Sequence, residues 1–182
     1  MNRYSQLIKL VEQQQPKRIL EVGTWNGHRA VQMLEASPLA HYYGFDLFEN
    51  ADAKTDEREF NVKKHFSIDD VYQYMMMYFP GQFELYRGDS NKTLRDFQTD
   101  YIDFAFIDGG HSVATIKNDL HNVMRLMEKG TIVLDDYYKG VQKDGVGCNT
   151  VLNGLDFEEL PLCDPVAGGG TVQMVKVNYG TA

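Results

Sequence analysis

The chain carries one stretch that decides its fold, Arg18-Ile19-Leu20-Glu21-Val22-Gly23-Thr24-Trp25-Asn26-Gly27. Its apolar run ends at Val22 and is too short for a helix, which is typical of a buried parallel strand. The two glycines allow the backbone to turn tightly and to approach a ligand closely. The residues that follow place apolar side chains on one face of a helix: Ala30, Val31, Met33 and Leu34. Strand, glycine turn and helix N-terminus form the unit from which open α/β sheets build nucleotide sites.

The spacing of the glycines restricts which kind of nucleotide cofactor the turn could bind. A dinucleotide fingerprint requires Gly-x-Gly-x-x-Gly and a P-loop requires Gly-Lys-Ser/Thr, and neither is present. The chain instead reads Glu21-x-Gly23-x-x-x-Gly27, which resembles the first motif of the class I S-adenosylmethionine-dependent methyltransferases. In that family the turn accommodates the methionine part of the cofactor. The residues alone leave open an ordinary connection between a strand and a helix.

Composition bounds the class of protein. A length of 182 residues with 43% hydrophobic and 12% aromatic residues is that of one folded domain, predicted to span residues 1–182. The net charge of −8 argues against a nucleic-acid partner. Cys148 and Cys163 lack a metal-ligand spacing and are expected to be free thiols in a reducing compartment. No signal-peptide core and no apolar run of membrane-spanning length are found, so we expect a soluble, cytoplasmic protein without a membrane partner.

Periodicity predicts strands that alternate with helices. The first helix is predicted from about Tyr4 to Gln14, and a late, turn-rich helix within residues 140–154. Seven strands are predicted, near residues 19–22, 41–46, 83–87, 102–108, 131–134, 157–162 and 171–177. The link between the last two is too short for a crossover, so that pair is predicted to be an antiparallel hairpin. The fold class is therefore α/β: a Rossmann-like methyltransferase fold with a seven-stranded, mostly parallel sheet, a C-terminal antiparallel hairpin and helices on both faces.

Residues 50–66 are the least regular part of the chain. They are charged, without apolar periodicity, and too long for an ordinary connection. We expect a mobile lid here that closes over the acceptor, within a lid and substrate insertion over residues 50–80. The Met and Tyr side chains of the helix at 68–78 are expected to pack in the core rather than to line the pocket.

The cofactor residues follow from the strand ends. Asp46 lies 19 residues after Gly27, close to the ~20-residue interval at which such folds place an acid on ribose hydroxyls. The resemblance implies that Asp89 and Ser90 approach the adenine, although Gly88-Asp89-Ser90 is also a good turn and helix cap. The full expected set for S-adenosylmethionine is Glu21, Gly23, Thr24, Trp25, Gly27, Asp46, Leu47, Asp89, Ser90 and Asp108.

Three carboxylates follow two successive strands. Asp108 ends the fourth predicted strand, and Asp135 and Asp136 end the fifth. Neighbouring strands lie ~4.8 Å apart, so these carboxylates would repel each other unless they are protonated, paired or bridged by a cation. Oxygen ligands of this kind suit Mg²⁺, Mn²⁺ or Ca²⁺, and we expect such a metal here. The alternative is that one or two of the carboxylates cap helices or meet an arginine.

This arrangement resembles the metal-dependent O-methyltransferases of the catechol type and the related sugar O-methyltransferases. It is closest to a bacterial and phage group that reads Phe-Ile-Asp-Gly-x-His-Ser, here Phe106 to Ser112. The resemblance implies that Asp108, Asp135 and Asp136 hold the metal. His111 stands where catechol enzymes carry a basic residue, and its neutral form could accept the proton of a metal-bound hydroxyl. His111 and Asp108 are therefore the expected catalytic residues. Other histidines, His65 among them, are expected to be surface or packing residues.

Three functions remain open from the sequence. The favoured one is a metal-assisted O-methyltransferase acting on a hydroxyl of a small molecule or sugar. The second is a metal-independent methyltransferase acting on nitrogen or another acceptor, and the third is a non-catalytic cofactor-binding interaction domain. The intact set of Glu21, Gly23, Gly27 and Asp46 argues against the third. The short N-terminus leaves the roof of the acceptor site to residues 50–80 or to a second subunit, so a homodimer is also among the expectations.

Overall fold

The structure is a computed structural model that describes residues 3–61, 64–141 and 144–180. Its six α-helices within those ranges are α1 Tyr4–Gln14, α2 His28–Ala36, α3 Ala53–Arg58, α4 Ile68–Met76, α5 Ser90–Asp96 and α6 Val113–Arg125, and a short 3-10 helix spans Phe48–Asn50. The strands are β1 Arg18–Val22, β2 His41–Asp46, β3 Phe83–Arg87, β4 Phe104–Ile107, β5 Gly130–Lys139, β6 Glu158–Pro165 and β7 Thr171–Tyr179. None of the described helices combines the length and the apolar character needed to cross a membrane.

All seven strands form one sheet in the order β3-β2-β1-β4-β5-β7-β6. The first five are parallel, and β7 pairs antiparallel with both β5 and β6. This confirms the predicted seven-stranded, mostly parallel sheet with its C-terminal antiparallel hairpin. The predicted neighbourhood of the fourth and fifth strands is confirmed as well, because β4 and β5 are paired.

The two faces of the sheet are covered by separate cores, which explains why the parallel strands are apolar throughout. Leu20 packs on one face in a core that includes residues of α5 and α6. Ile19, its neighbour on β1, packs on the other face with residues of α1, α2 and α4. Successive side chains of a strand point to opposite faces, so a strand buried on both sides loses the alternation of polar and apolar residues.

The register brings the carboxyl ends of four strands to one edge. Val22 at the end of β1 is opposite Phe45 on β2 and Ile107 on β4, and Ile107 is opposite Leu134 on β5. The residues that follow these positions therefore meet at the same edge of the sheet, where ligands of open α/β sheets bind.

Three local predictions were wrong. The fifth strand does not end at Leu134 but continues to Lys139 through a β-bulge between Leu134 and Tyr137. The bulge places Asp136 at φ 61°, which turns its side chain out of the regular alternation. No helix forms in the described part of residues 140–154, which is built from turns; Gln142 and Lys143 lie outside the described residues.

The segment at 50–66 contains the third difference, the short helix α3. Asp52 caps it, because its carboxylate accepts a hydrogen bond of 2.8 Å from the amide of Thr55. An aspartate three residues before a threonine is a recognisable capping signal. Val62 and Lys63, which belong to the predicted lid, lie outside the described residues.

Candidate active site

A cleft of about 350 Å³ lies at the carboxyl edge of the sheet, within the size range of small-molecule sites. Its wall includes the glycine turn, the end of β2, the loop after β4 and the segment around α3. The predicted site residues on the wall are Glu21, Gly23, Thr24, Trp25, Asp46, Leu47, Ser90, Asp108 and His111. Residues that were not predicted also line it, among them Tyr4, Arg29, Asp56, Glu59 and His65.

Gly23 is required by two independent constraints. Its φ of 96° is one that side chains rarely tolerate. A Cβ at this position would lie 2.1 Å from the backbone oxygen of Asp108, far inside contact distance. The turn is also tied to the neighbouring strand by a hydrogen bond of 2.8 Å from its amide to the carbonyl of Phe45. The glycine turn therefore lies directly against the end of β4, beside Asp108.

Asp46 connects the glycine turn to the end of β2. One carboxylate oxygen accepts a hydrogen bond of 2.7 Å from the amide of Trp25, and the other accepts one of 2.7 Å from the amide of Phe48. Both amides belong to residues with positive φ, 51° at Trp25 and 50° at Phe48. The carboxylate thus holds two strained turns in place at the mouth of the glycine turn.

Glu21 is a buried carboxyl at the base of the cleft. It is 1% exposed and accepts a short hydrogen bond from the hydroxyl of Tyr42. Burial raises the pKa of Glu21 to about 7, although Tyr42 and the positive charge of Arg29 act in the opposite direction. The carboxyl gives the floor of the site a charge that changes near neutral pH.

The carboxylate cluster, defined here as Asp108, Asp135 and Asp136, meets two residues from the start of the chain. Arg3 binds Asp135 through one edge of the guanidinium. Its Nε is 3.0 Å from Oδ1, and its Nη2 is 2.8 Å from Oδ2. The hydroxyl of Tyr4 is 2.9 Å from Asp135 Oδ2 and 3.1 Å from Asp108 Oδ2. Of the cluster, Asp108 lines the cleft, whereas Asp135 and Asp136 are not among the residues of its wall.

His111 is held in one tautomer. Its Nδ1 lies 2.8 Å from the backbone oxygen of Glu59. A carbonyl oxygen can only accept, so Nδ1 carries the hydrogen and the lone pair of the neutral ring is on Nε2. Nε2 is 3.6 Å from Asp136 Oδ2, close enough for an ion pair once the ring is protonated. Burial and the neighbouring Asp135 raise the pKa of Asp136, while His111 acts to lower it.

Glu59 anchors α3 to the loop after β4. Its side chain is buried, and it accepts hydrogen bonds from the Ser112 amide at 3.1 Å and from the Thr115 hydroxyl at 2.8 Å. Gly110 makes room for this contact, because a Cβ there would lie 2.5 Å from a Glu59 carboxylate oxygen. A carboxylate at the first turn of α6 is also favoured by the helix dipole. Although burial opposes it, these hydrogen bonds together with Arg58 lower the pKa of Glu59.

Two predicted cofactor residues do not line the cleft. Gly27 caps α2 and faces Val71 and Met75 of α4. Asp89 caps α5, accepting a hydrogen bond of 3.0 Å from the amide of Asn91. The turn-and-cap alternative for Asp89 therefore describes its observed contacts, while Ser90 faces the cleft.

The sequence analysis missed a second histidine on the wall. His65 lines the cleft, and its Nε2 is 2.8 Å from Asp56 Oδ1, a placement that the sequence analysis did not predict. The neighbouring backbone is held as well, since the indole of Trp25 donates a hydrogen bond of 2.8 Å to the carbonyl of Lys64. An Asp-His pair nine residues apart carries no sequence signature, because only the fold of the segment brings the two together.

The carboxylates do not fit a metal ion in this arrangement. Within residues 3–61, 64–141 and 144–180, no three His, Cys, Asp or Glu side chains form a group that could hold one. Both oxygens of Asp135 are taken by Arg3, and its side chain is 0% exposed. The alternative in which a carboxylate of the cluster meets an arginine is therefore the one observed at Asp135.

Comparison with protein families identifies the class. The family model described as a methyltransferase domain matches residues 20–137, from the first strand to the end of the carboxylate cluster. The chain belongs to this family of methyltransferase domains. A search of curated proteins finds no match.

Solved structures agree on the fold. The O-methyltransferase TomG from Streptomyces achromogenes, involved in tomaymycin synthesis and solved with S-adenosylmethionine, aligns with a TM-score of 0.68 at 16% identity, covering 97% of this chain and 79% of that one. An O-methyltransferase from Bacillus cereus solved with S-adenosylhomocysteine aligns with a TM-score of 0.68 at 16% identity, covering 97% and 80%. The N-methyltransferase NodS from Bradyrhizobium japonicum aligns with a TM-score of 0.63 at 13% identity, covering 97% and 93%. The fold is that of the class I S-adenosylmethionine-dependent methyltransferases.

Proposed function

We propose that this protein transfers a methyl group from S-adenosylmethionine to a hydroxyl of a small molecule. The observation that carries the proposal is that one cleft joins the glycine turn and Asp46 to His111, a histidine whose Nε2 keeps its lone pair. The glycine turn and Asp46 can bind a nucleoside cofactor, and His111 can accept the proton of an acceptor hydroxyl. The position of all three at the carboxyl ends of parallel strands supports the assignment.

The residues of the cleft fit the cofactor. The backbone of the glycine turn can lie close to its methionine part, because no Cβ stands at Gly23. Asp46, which lines the cleft beside the glycine turn, binds the ribose hydroxyls in this proposal, and Ser90 lies near the adenine. When bound, S-adenosylmethionine supplies an electrophilic methyl group on a positively charged sulfur.

His111 is the proposed general base. Nε2 would take the proton of the acceptor hydroxyl while that oxygen forms its bond to the methyl carbon. The bond from that carbon to sulfur would break with its electron pair left on sulfur, so that S-adenosylhomocysteine is the second product. The resulting imidazolium is stabilised by Asp136, whose oxygen is 3.6 Å from Nε2. Asp108, beside the glycine turn, is proposed to orient the acceptor. Most of the rate gain then comes from holding the two reactants in line.

The divalent metal was predicted from the sequence and is not part of the proposed mechanism. Asp108, Asp135 and Asp136 are its predicted ligands, but a metal would have to displace Arg3 from Asp135 before it could use that carboxylate. No step above therefore depends on a metal. A sugar acceptor, a homodimer and the closing of residues 50–66 over the acceptor stay predictions.

Binding and turnover can be tested separately. We expect S-adenosylhomocysteine to bind the purified protein in a calorimetric titration, and NAD to bind far more weakly or not at all. Transfer of a labelled methyl group to a panel of phenols, sugars and amines would then separate a hydroxyl acceptor from a nitrogen acceptor. Binding of NAD in preference to S-adenosylhomocysteine would contradict the proposal, and cofactor binding with methylation of amines alone would favour nitrogen transfer.

A further inference from the structure

We propose that Arg3 is the cation of the carboxylate cluster and takes the place of the predicted divalent metal. Three carboxylates gathered at adjoining strand ends require a positive charge. In this protein that charge is already part of the chain. Arg3 is proposed as the cation that pairs with these carboxylates, and only the activity measurement below rests on the proposed methyl transfer.

The geometry at Asp135 leaves little for a metal to bind. The guanidinium makes two parallel contacts of 3.0 and 2.8 Å to the two carboxylate oxygens, the bidentate pairing that arginine and carboxylate form best. The Tyr4 hydroxyl adds a third contact, of 2.9 Å, to Oδ2. A metal needs the same oxygen lone pairs, and a divalent cation placed there would also be repelled by the guanidinium.

Arg3 is fixed by more than Asp135. Its Nη1 lies 2.7 Å from Asp164 Oδ2 on β6, so the guanidinium bridges β5 and β6. The Arg3 side chain is 15% exposed and that of Asp135 is 0% exposed. Removing one member of such a buried pair leaves an uncompensated charge, which is strongly unfavourable. The cluster should therefore contain either Arg3 or another cation at all times.

Tyr4 links the carboxylate cluster to the cleft. Its hydroxyl reaches both Asp135 and Asp108, and its ring lines the cleft beneath the guanidinium of Arg29, 4.0 Å from the ring centroid. From this position the hydroxyl can donate a hydrogen bond to either carboxylate. Arg3 and Tyr4 together thus position Asp108, the one carboxylate of the cluster that faces the cleft.

The test measures Mn²⁺ binding by electron paramagnetic resonance of the free ion, with no need for turnover. Arg3→Met removes the charge at similar length, and Arg3→Lys is the matched control that keeps it. We expect weak or no binding to the wild type and to Arg3→Lys, and an affinity at least about tenfold higher for Arg3→Met, the scale on which the surroundings of a metal site act. The gain should disappear in Arg3→Met/Asp135→Asn.

A milder variant covers the case in which Arg3→Met does not fold. Asp164 is 39% exposed, and Asp164→Asn should loosen Arg3 and raise Mn²⁺ affinity by a smaller factor. Tight Mn²⁺ binding by the wild type would overturn the inference. So would a folded Arg3→Met or Asp164→Asn protein with no gain over the wild type.

The activity arm uses the same wild-type protein. Methyl transfer in excess EDTA should equal that in Mg²⁺, and a loss of turnover restored by Mg²⁺ would overturn the inference. Failure of S-adenosylhomocysteine to bind would contradict the proposed function instead, and would leave the Mn²⁺ comparison as the test of Arg3.

Discussion

Asp46 shows how one side chain can serve fold and ligand together. Its two oxygens each accept a backbone amide, so it organises the loop that would hold the cofactor even before any ligand binds. The same residue at the end of an apolar strand, about 20 residues after a glycine turn, is what the sequence pattern predicts for ribose recognition.

Asp46→Ala should weaken S-adenosylhomocysteine binding by about 1–3 kcal/mol, the scale of hydrogen bonds to a charged group. Asp46→Asn keeps one oxygen and should lose less. Calorimetric titration of both variants checks the order. Equal affinity in the wild type and both variants would remove Asp46 from the cofactor site.

His111→Gln should lower the rate of methyl transfer by roughly 10²–10⁴-fold, the usual contribution of a general base. S-adenosylhomocysteine affinity should change little, because the ring is held by Glu59 and Asp136 rather than by the glycine turn. His121→Gln, at an exposed position of α6, is the control. A rate loss that comes entirely from weaker cofactor binding would argue against His111 as the base.

At the scale of elements, α3 is attached to α6 by a single buried carboxylate. Glu59→Gln weakens hydrogen bonds to Ser112 and Thr115 and should cost about 1–3 kcal/mol locally. Hydrogen exchange in the described part of residues 50–66 should therefore become faster. Glu57→Gln, exposed on the same helix, should leave exchange unchanged. Equal protection in both variants would show that Glu59 does not hold the segment.

The sequence predicted the elements far better than their contacts. The β2 boundaries, the glycine turn and the antiparallel hairpin follow from local patterns of apolar residues, glycines and link lengths. The contacts of Arg3 with Asp135 and of Glu59 with Ser112 join residues 132 and 53 positions apart, and no local pattern marks them. The bulge in β5 was missed for a related reason. The bulge is a register shift in the pairing of β5 with β7, and the residues next to Asp136 in the sequence do not mark it.

At the scale of the whole molecule, buried acids should make stability depend on pH, and the contribution of Asp119 can be isolated. Asp119 on α6 is 0% exposed, and neither carboxylate oxygen has a hydrogen-bond partner of good geometry among the described residues. Burial raises its pKa from 3.8 to about 7. The folded protein therefore binds a proton between those values that the unfolded chain has released, so the stability contributed by neutral Asp119 is lost as pH rises towards 7.

Asp119→Asn should remove this dependence. The variant should match the wild type near pH 4 and exceed it by roughly 2–4 kcal/mol at pH 8, where the wild type buries a charge. Glu21 contributes a slope of the same sign in both proteins and cancels in the difference. Denaturant unfolding across this pH range measures the free energy of unfolding of both proteins. Asp69→Asn, at an exposed position of α4, is the control. A difference independent of pH would contradict the role of Asp119.

The carbonyl of Glu59 has a consequence for the timing of the reaction. It is a main-chain atom of the segment around α3, and it accepts the hydrogen that His111 carries on Nδ1. Any opening of that segment frees the imidazole to exchange its hydrogen between the two nitrogens. The proposed base would then be ready only when the cleft is covered. The segment would then cover the substrates and set the tautomer of His111 in the same step. In the open state the base would not be set to activate a water molecule towards the methyl donor.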